Sequence, residues 1–376
     1  MEAILYIGIS QTLVAGILIA LKKPRMMANQ ILAALLLLIC IEMIIVLINE
    51  AMLDLYTIRV LPYTYGPLLL LYARFMTSEK PSFNPHFLWH FGPFFIFLIA
   101  SLIFIDQPVM NGTEEFLAGD RFISFRIIYA ITFFVSITSY SVATFVEIRR
   151  HQKHLMEVVS YSSGKITLQW LTGLSITFYA GYVVMFIFGG IDIAVDFMPF
   201  DPYETSFIGL TILTFLFTIF GFQQPSIFEE VVKEHEVEVE LNPEESEQKK
   251  YARSGLKKKD VARYIKLLEN HMEKDKPYKD RELTIFDLSD QLQIPRHFLS
   301  EVINEHLGKN FYTLVNEYRL EEVKKRMVDP AFKHLTILAI AYDAGFNSKS
   351  SFNTIFKQKT EMTPSEYLNS LSETGS

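Results

Sequence analysis

Seven long apolar runs constrain the fold of this chain more than any other feature of its sequence. They lie near residues 3–21, 28–49, 59–77, 86–105, 122–146, 167–189 and 206–223. Each is close to the length of about 20 residues that a helix needs to cross the hydrocarbon core of a bilayer. Pro62, Gly66 and Pro67 interrupt the third run, and membrane helices tolerate such residues where neighbouring helices satisfy the backbone. The sequence therefore predicts a bundle of seven transmembrane helices in a lipid bilayer.

Charged residues are unevenly distributed along the chain. Residues 1–228 contain 27 of them, and residues 229–376 contain the other 50. The chain has one cysteine, Cys40, inside the second apolar run, so neither an intrachain disulfide nor a cysteine-based metal site is expected. The first apolar run has no basic segment before it and no small-residue cleavage site, which indicates a retained span rather than a removed signal peptide.

Basic residues in the short loops predict the orientation of the bundle. The loops on one side carry only Arg59 and Arg121, whereas the alternate loops carry eight basic residues. Because cytoplasmic loops are enriched in Lys and Arg, we expect the second set of loops and the C-terminal region in the cytoplasm and the N-terminus outside. The eight residues are Lys22, Lys23, Arg25, Lys80, Arg149, Arg150, Lys153 and Lys165.

Two charged residues inside the apolar runs are candidates for sensing a signal. Glu42 lies well inside the second run and Arg126 lies near the start of the fifth. Charge within the bilayer is costly and often marks a functional site. Alternatively, Arg126 extends to the outer interface and Glu42 packs against a polar neighbour. His86 and His90 share a helix face but have no evident third ligand, so no metal site, cofactor or catalytic group is predicted.

Residues 228–255 are predicted to form an acidic linker. They contain nine acidic and four basic residues, too many charges for a membrane span and too few large apolar residues for a core. The alternation "EVEVEL" leaves open a short strand against a partner, or a dimer contact.

Residues 256–371 have the apolar periodicity of helices throughout. Two short helices joined by a tight turn are predicted within Leu283–Phe311, the second beginning near Pro295. A long amphipathic helix follows near Phe311–Met327, and the short pair then repeats from Thr336. Each pair has the pattern of a helix-turn-helix unit.

Turn and capping residues support these boundaries. Thr284, Thr336 and Ser348 are suited to cap helices, because a hydroxyl accepts from a first-turn amide. Gly345 suits a left-handed turn, and "TPSE" at 363–366 predicts a capping box.

The second helix of each pair presents polar side chains outward, where a recognition helix faces the major groove of DNA. Arg296 and Lys349 could donate to guanine, and Asn353 could pair with adenine. The predicted DNA-binding residues are Arg296, His297, Ser300, Asn304, Ser348, Lys349, Ser350, Asn353 and Lys357.

The second helix pair resembles the signature of the AraC/XylS family of transcription regulators. The residues that carry the resemblance are Ala341, Gly345, Phe346, Ser350, Phe352, Phe356, Lys357, Thr363, Pro364 and Tyr367. The resemblance covers residues 256–371 and implies two helix-turn-helix units joined by the long helix. Glu361 and Gln293 depart from the family pattern, because glycine is usual before "TP" and glycine or asparagine is frequent in the first turn. The whole chain looks like a membrane-bound regulator of this type, an arrangement found in Bacteroidetes.

Together these inferences predict an all-α protein. A seven-helix transmembrane bundle (1–227) and the acidic linker precede a cytoplasmic DNA-binding domain (256–371) and a tail (372–376). The resemblance implies a non-enzymatic, sequence-specific transcription regulator in the bacterial inner membrane, controlled by an unknown signal ligand. Its expected partners are double-stranded DNA, RNA polymerase and a second copy in a homodimer. The alternatives are a transporter or membrane enzyme with a regulatory tail, and a helical domain that docks onto another protein.

Overall fold

The chain folds as an all-helical protein with two compact units. The computed structural model describes residues 2–52, 60–78, 82–103, 121–164, 166–195, 202–224, 256 and 258–374, and these form fourteen α-helices. One unit comprises Met1–Arg150 with Leu168–Glu230, and the other comprises His151–Thr167 with Val231–Ser376. The predicted linker lies outside the described residues, as do Arg59, Lys80 and Lys165 of the predicted loops.

Seven α-helices begin in the first unit. They are α1 Glu2–Leu21, α2 Met27–Met52, α3 Pro62–Thr77, α4 Gly92–Ile103, α5 Ile123–Val158, α6 Gln169–Val195 and α7 Pro202–Gln223, and a 3-10 helix over Pro85–Phe91 leads into α4. Within the described residues, six segments are long and apolar enough to cross a membrane. These are Glu2–Leu21, Met27–Ile48, Pro85–Ile103, Ile123–Val158, Gln169–Asp192 and Thr205–Gln223.

The third predicted span is present as α3 but has only 16 residues. A helix of that length spans about 24 Å, less than the hydrocarbon thickness of about 30 Å. Thirteen of its residues are buried, so α3 is enclosed by its neighbours. Its Tyr63 stacks on Phe97 of α4, with ring centroids 5.0 Å apart, and its hydroxyl donates to the carbonyl of Tyr129 on α5 at 3.0 Å.

The other helices of the first unit expose many large apolar side chains as well as burying some. Ile7, Val14 and Leu18 of α1 are each about half exposed. Soluble monomers rarely leave large apolar surfaces uncovered, whereas lipid-facing helices must. The apolar outer surface and the enclosed α3 are therefore the expected features of a membrane bundle.

The second unit contains the remaining seven α-helices. They are α8 Lys258–Lys274, α9 Ile285–Leu292, α10 Arg296–Glu301, α11 Phe311–Val328, α12 Ile337–Asp343, α13 Lys349–Thr360 and α14 Pro364–Thr374. Helix α10 begins one residue after Pro295, which is its N-cap, and continues as a π-helical turn over Val302–His306. Helix α14 includes residues 372–374 of the predicted tail.

Helix α11 joins two hydrophobic clusters, as the sequence predicted for the long amphipathic helix. Its first half, with Phe311 and Val315, packs in one cluster against α8, α9 and α10. Its second half, with Leu320 and Val323, packs in the other cluster against α12 and α13. Removing α11 would therefore open both cores.

Hydrogen bonds at the helix ends confirm the predicted caps. The hydroxyl of Thr284 accepts from the amide of Asp287 at 3.2 Å, and the hydroxyl of Ser348 accepts from the amide of Ser351 at 3.1 Å. The hydroxyl of Thr336 accepts from the amide of Ala339 at 3.1 Å. At the last helix, the Thr363 amide donates to the Glu366 carboxylate at 2.8 Å, and the Glu366 amide donates back to the Thr363 hydroxyl at 3.3 Å.

A buried ion cluster stabilises the middle of α11. Glu322 accepts from Arg326 at 2.7 Å, from Lys276 at 3.0 Å and from the hydroxyl of Tyr278 at 3.3 Å. Arg326 also pairs with Asp343 at the end of α12. Burial alone would raise the pKa of Glu322, but the hydrogen bonds from Lys276 and Arg326 lower it to about 2. The charged carboxylate of Glu322 therefore ties the segment before the first helix pair to α11, and Arg326 ties the end of α12 to the same helix.

Five described residues of this unit lie in the left-handed region, among them Lys276 (φ +52°) before the first helix pair. Gly345 (φ +105°) lies between α12 and α13, and Gly308 (φ +64°) precedes α11. The same region holds Gln293 (φ +51°) and Glu361 (φ +63°), the two departures from the family pattern. A side chain strains the backbone there, so the family's preference for glycine at these two positions has a conformational cause.

We predict that Glu322→Gln destabilises the second unit at neutral pH by on the order of 3 kcal/mol. The folded pKa of Glu322, about 2, lies below its unfolded value. Its ionisation therefore stabilises the fold above the unfolded pKa, and this contribution is lost as the pH falls toward 2. Urea unfolding of the second unit in the full chain in lipid nanodiscs, followed by its susceptibility to proteolysis between pH 7 and pH 3, measures the difference. Glu321→Gln is the control, since Glu321 lies on the same helix in an exposed pair with Lys324. If Glu322→Gln lowered the free energy of unfolding equally at pH 7 and pH 3, the lowered pKa assigned to Glu322 would be contradicted.

We predict that Gly345→Ala costs far more stability than Gly308→Ala. A Cβ at Gly345 would lie 2.2 Å from the carbonyl oxygen of Tyr278, whereas one at Gly308 meets nothing within 4 Å. Gly308→Ala should cost only the left-handed penalty of about 1 kcal/mol, and Gly345→Ala about 3 kcal/mol or more because the backbone must also move. The same unfolding assay compares the two, and equal losses would refute the steric argument.

Glu361→Gly is expected to stabilise the unit by about 0.5–1 kcal/mol, because glycine removes the strain of the left-handed backbone. Gln358→Gly, three residues earlier inside α13, should instead destabilise by about 1 kcal/mol. Thermal unfolding of the two variants distinguishes relief of strain from a general effect of glycine, which would give the same sign at both positions.

Candidate nucleic-acid interface

The second helix pair presents an outward polar face on α13. Phe352, Ile355 and Phe356 are buried, and the ring of Phe352 lies 5.2 Å from that of Phe346 in the preceding turn. Because these apolar residues fix one side of α13 against the core, the other side must face solvent. We call the outward side of α13 the second face; its exposed residues are Lys349, Ser350, Asn353, Thr354, Lys357 and Gln358.

Two predicted contact residues on this face have no competing interaction. Within the described residues, Lys349 and Asn353 make neither an ion pair nor a side-chain hydrogen bond. They are four positions apart and therefore adjacent on the helix surface. Ser350 differs, because its hydroxyl lies 3.3 Å from that of the cap residue Ser348. The first turn of α13 thus offers an ammonium group and an amide to a partner.

The first helix pair has a similar but less cationic face. Arg296, His297 and Asn304 are exposed, and Ser300 is half-buried. The guanidinium of Arg296 lies 4.7 Å from the centre of the Phe286 ring, and the amide of Asn304 donates to the Ser300 hydroxyl at 3.2 Å. Three of the four predicted contacts are therefore accessible.

An acidic residue between the two pairs engages nearby lysines. Both Lys309, before α11, and Lys359, in the last turn of α13, donate to the carboxylate of Glu317 at 2.6 Å. Burial opposes the charge, but these two hydrogen bonds lower the pKa of Glu317. Each lysine therefore has an internal partner that competes with the phosphates of a duplex. Glu317 and Lys359 are 42 positions apart, so the sequence carried no signal for this pairing.

Sequence reasoning missed two exposed residues of the second face. Asn347 precedes the cap of α13, and Thr354 lies one turn after Ser350. The spacing of Thr354 from Ser350 was the available signal, because residues four apart share a helix face.

The residues that carried the family resemblance form the framework of the second pair. Six of them are buried, and Thr363 and Tyr367 are half-buried. The ring of Phe356 lies 5.4 Å from that of Tyr367, which ties α13 to α14. The six are Ala341, Gly345, Phe346, Phe352, Phe356 and Pro364.

The two sensing candidates are both buried in the first unit. Glu42 of α2 is 6% exposed and accepts a hydrogen bond from the hydroxyl of Tyr65 on α3. Arg126 of α5 is 1% exposed, so its side chain lies within the protein. Glu42 has the polar neighbour that the alternative interpretation required.

Comparison with known proteins relates the second unit to regulators of transcription. A family model described as a helix-turn-helix domain matches residues 288–370. The chain is 34% identical over 86 residues to an uncharacterized HTH-type transcriptional regulator of Staphylococcus aureus, which is 23% of this chain and 11% of that protein. It is 37% identical over 82 residues to the TCP pilus virulence regulatory protein of Vibrio cholerae, which is 22% of this chain and 28% of that protein. No solved structure gives a significant match.

These matches are confined to the C-terminal part of the chain. The alignable stretch spans 11% and 28% of the lengths of the two relatives. The C-terminal part therefore carries an AraC-type helix-turn-helix domain, similar to the DNA-binding domains of HTH-type regulators.

Proposed function

We propose that this protein is a membrane-anchored, sequence-specific transcription regulator without enzymatic activity. The observation that carries the proposal is the exposed face of α13, with Lys349 and Asn353 unpaired within the described residues, in a domain that matches a helix-turn-helix model. Two relatives of this domain are themselves described as regulators. Both helix pairs then act as helix-turn-helix units, with α10 and α13 as the recognition helices.

Base contacts rather than charge provide the selectivity in this proposal. Asn353 pairs with adenine, and Lys349 and Arg296 donate to guanine. The domain has a net charge of only +2 over residues 256–371, and Glu317 already engages Lys309 and Lys359. Phosphate contacts therefore contribute modestly, and a homodimer that reads a longer site would strengthen binding.

The packing of the first and last helices of the bundle supports an odd number of membrane crossings. Lys22, which follows α1, donates to the carbonyl of Phe222 at 2.6 Å and to that of Gln224 at 2.9 Å, both at the end of α7. In this proposal the two helices end on the same side of the membrane and run in the same direction. Six crossings would make them antiparallel, so the proposal takes the buried α3 as a seventh crossing. The N-terminus then lies outside the bacterial inner membrane and the DNA-binding domain lies in the cytoplasm.

The membrane bundle supplies the signal in this proposal. A ligand shifts the bundle between two states only if it binds one of them better. Buried ionisable groups such as Glu42 and Arg126 are suited to that role, because their partners decide the cost of their charge. The result of this shift is a change in how two DNA-binding domains contact their DNA site and RNA polymerase.

Selection of random DNA duplexes tests this function. The full chain in lipid nanodiscs should enrich a motif with two elements about one helical turn apart, because the two recognition helices read successive major-groove segments. The Lys349→Ala, Asn353→Ala double variant should lose or relax one element. Each lost base contact should cost about 1–3 kcal/mol of binding free energy.

Lys333→Ala serves as the control, since Lys333 is exposed and lies outside both the predicted contacts and the outward face of α13. The Lys333→Ala variant should retain both motif and affinity. Failure of the unsubstituted chain to enrich any sequence at moderate salt would contradict the proposed function and favour a protein-docking domain.

A further inference from the structure

The end of α5 is part of the second unit. The helix begins at Ile123 in the first unit, and from His151 onward it belongs to the second. We call residues Val158, Val159 and Ser160 the strap. Val158 packs against the hydrophobic cluster of α8 to α11. Val159 forms an antiparallel bridge with Thr284, and the amide of Ser160 donates to the carbonyl of Leu283 at 3.1 Å.

The side chains of α11 bind the strap from its other side. Arg319 donates to the carbonyl of Ser160 at 2.8 Å and to its hydroxyl at 3.0 Å. The amide of Asn316 donates to the same carbonyl at 3.0 Å. Ser160 and Val159 are 0% and 2% exposed, so backbone, hydroxyl and apolar side chain of the strap are all enclosed.

The site that holds the strap is incomplete without it. Arg319 is 1% exposed, and it also donates to the carbonyl oxygens of Tyr278 and Asp280, at 2.7 and 2.5 Å, and to the Asn316 amide oxygen at 3.3 Å. Withdrawing Ser160 would remove two acceptors from a buried cation. A buried charge that loses its partners is strongly destabilising, so the strap is a component of this site rather than an incidental contact.

Arg319 also contacts the turn of the second helix pair. Its Nε lies 2.8 Å from the position that a Cβ on Gly345 would occupy. The carbonyls of Tyr278 and Asp280 precede the first helix pair along the chain. The guanidinium that binds the strap therefore touches segments leading into both pairs.

The segment that contains the strap is held together at its two ends. The ring of His151 lies 2.9 Å from the carbonyl of Ile166, and the side chain of Gln152 donates to that of Thr167 at 2.9 Å. These bonds hold the two ends of the 151–167 segment together. A displacement along α5 would therefore move the strap with it instead of being absorbed by the loop.

We propose that the strap is an intramolecular dock through which α5 controls the DNA-binding domain. The occupant is this chain's own 151–167 segment, and the docked strap holds Arg319, and with it the turn at Gly345, in the arrangement that binds DNA. Withdrawal of the strap lowers DNA affinity. The regulatory part of this inference rests on the proposed function, whereas the docking itself does not.

A disulfide tests whether the strap is docked. The bond from Ser160 to Leu283 makes Val159 and Thr284 a non-hydrogen-bonded antiparallel pair, whose Cα atoms are typically about 4.5 Å apart. That separation lies in the range of roughly 4.4–6.8 Å found in disulfides. We would introduce Val159→Cys and Thr284→Cys into a Cys40→Ala background, with a protease site within residues 228–255. Oxidation of the full chain in nanodiscs should keep the two fragments joined after cleavage until a reductant is added.

Met156→Cys with Thr284→Cys is the matched control, because Met156 is 45% exposed on the same helix and should cross-link poorly. Absence of the cross-link in the Val159 pair would overturn the dock. Two differently tagged copies joined before cleavage would show that the strap is exchanged between chains, and that result would overturn the intramolecular proposal.

DNA affinity tests the coupling. Val159→Asp places a charge at a buried position and should weaken specific DNA binding by the full chain about tenfold, within the usual range for coupled sites. Met156→Asp should leave the affinity unchanged. The oxidised Val159–Thr284 variant should bind at least as tightly as its reduced form. Unchanged affinity in Val159→Asp would overturn the coupling while DNA binding stands. Failure of every form to bind DNA would overturn the proposed function and the coupling, and the cross-link would still decide the docking.

Discussion

The guanidinium of Arg319 is the interaction on which the second unit depends. It lies in the middle of α11, and each of its donors has an oxygen partner. Burial lowers the pKa of Arg319 to about 10, which still leaves the group charged at neutral pH. Its hydrogen bonds all go to neutral oxygens of backbone and side chains. The charge of Asp280 also favours the cation, but the hydrogen bonds require the segments that supply the oxygens to keep their positions together.

A second charged site, one turn further along α11, complements the first. Glu322 and Arg326 bind Lys276, Tyr278 and Asp343. The two sites share the segment around Tyr278, which offers its carbonyl to Arg319 and its hydroxyl to Glu322. Hydrophobic burial alone would allow the two clusters on α11 some freedom to slide, whereas these directional bonds fix their register. A rigid spacing between α10 and α13 is what reading two segments of one duplex face requires.

The sequence predicted those features of the fold that depend on local patterns. The helices, their caps at Thr284, Thr336 and Ser348, and the positive φ at Gly345 all follow from chemistry within a few residues. The aromatic residues of the family signature likewise predicted the core of the second pair. Helix α3 was predicted near 59–77 and is found at Pro62–Thr77, but its burial was not predicted, because apolarity alone does not distinguish a helix buried by protein from one exposed to lipid.

Interactions between distant positions were not predictable from these patterns. Arg319 occupies the same helix stripe as Val315 and Val323, but a lone arginine in an apolar stripe does not reveal what it binds. Its partner Ser160 is 159 positions away. The pairing of Lys359 with Glu317 was missed for the same reason, and it changed the electrostatics expected of the candidate interface. The exposed face of α13 was predictable because only helical spacing was needed.

The modest charge of the DNA-binding domain is physically consistent with its attachment to a membrane. A strongly basic domain at the inner surface would be attracted to anionic lipids, by about 1 kcal/mol for each nearby Lys or Arg. Its basic residues would then bind lipid headgroups in place of DNA phosphates. Engaging Lys309 and Lys359 with Glu317 reduces this competition and leaves Lys349 and Asn353 for bases. The affinity given up by the missing phosphate contacts is recovered if two tethered copies bind one site, since the second domain then binds at a high effective concentration. In the proposed function, weak charge, base-directed contacts and a membrane anchor are therefore mutually reinforcing.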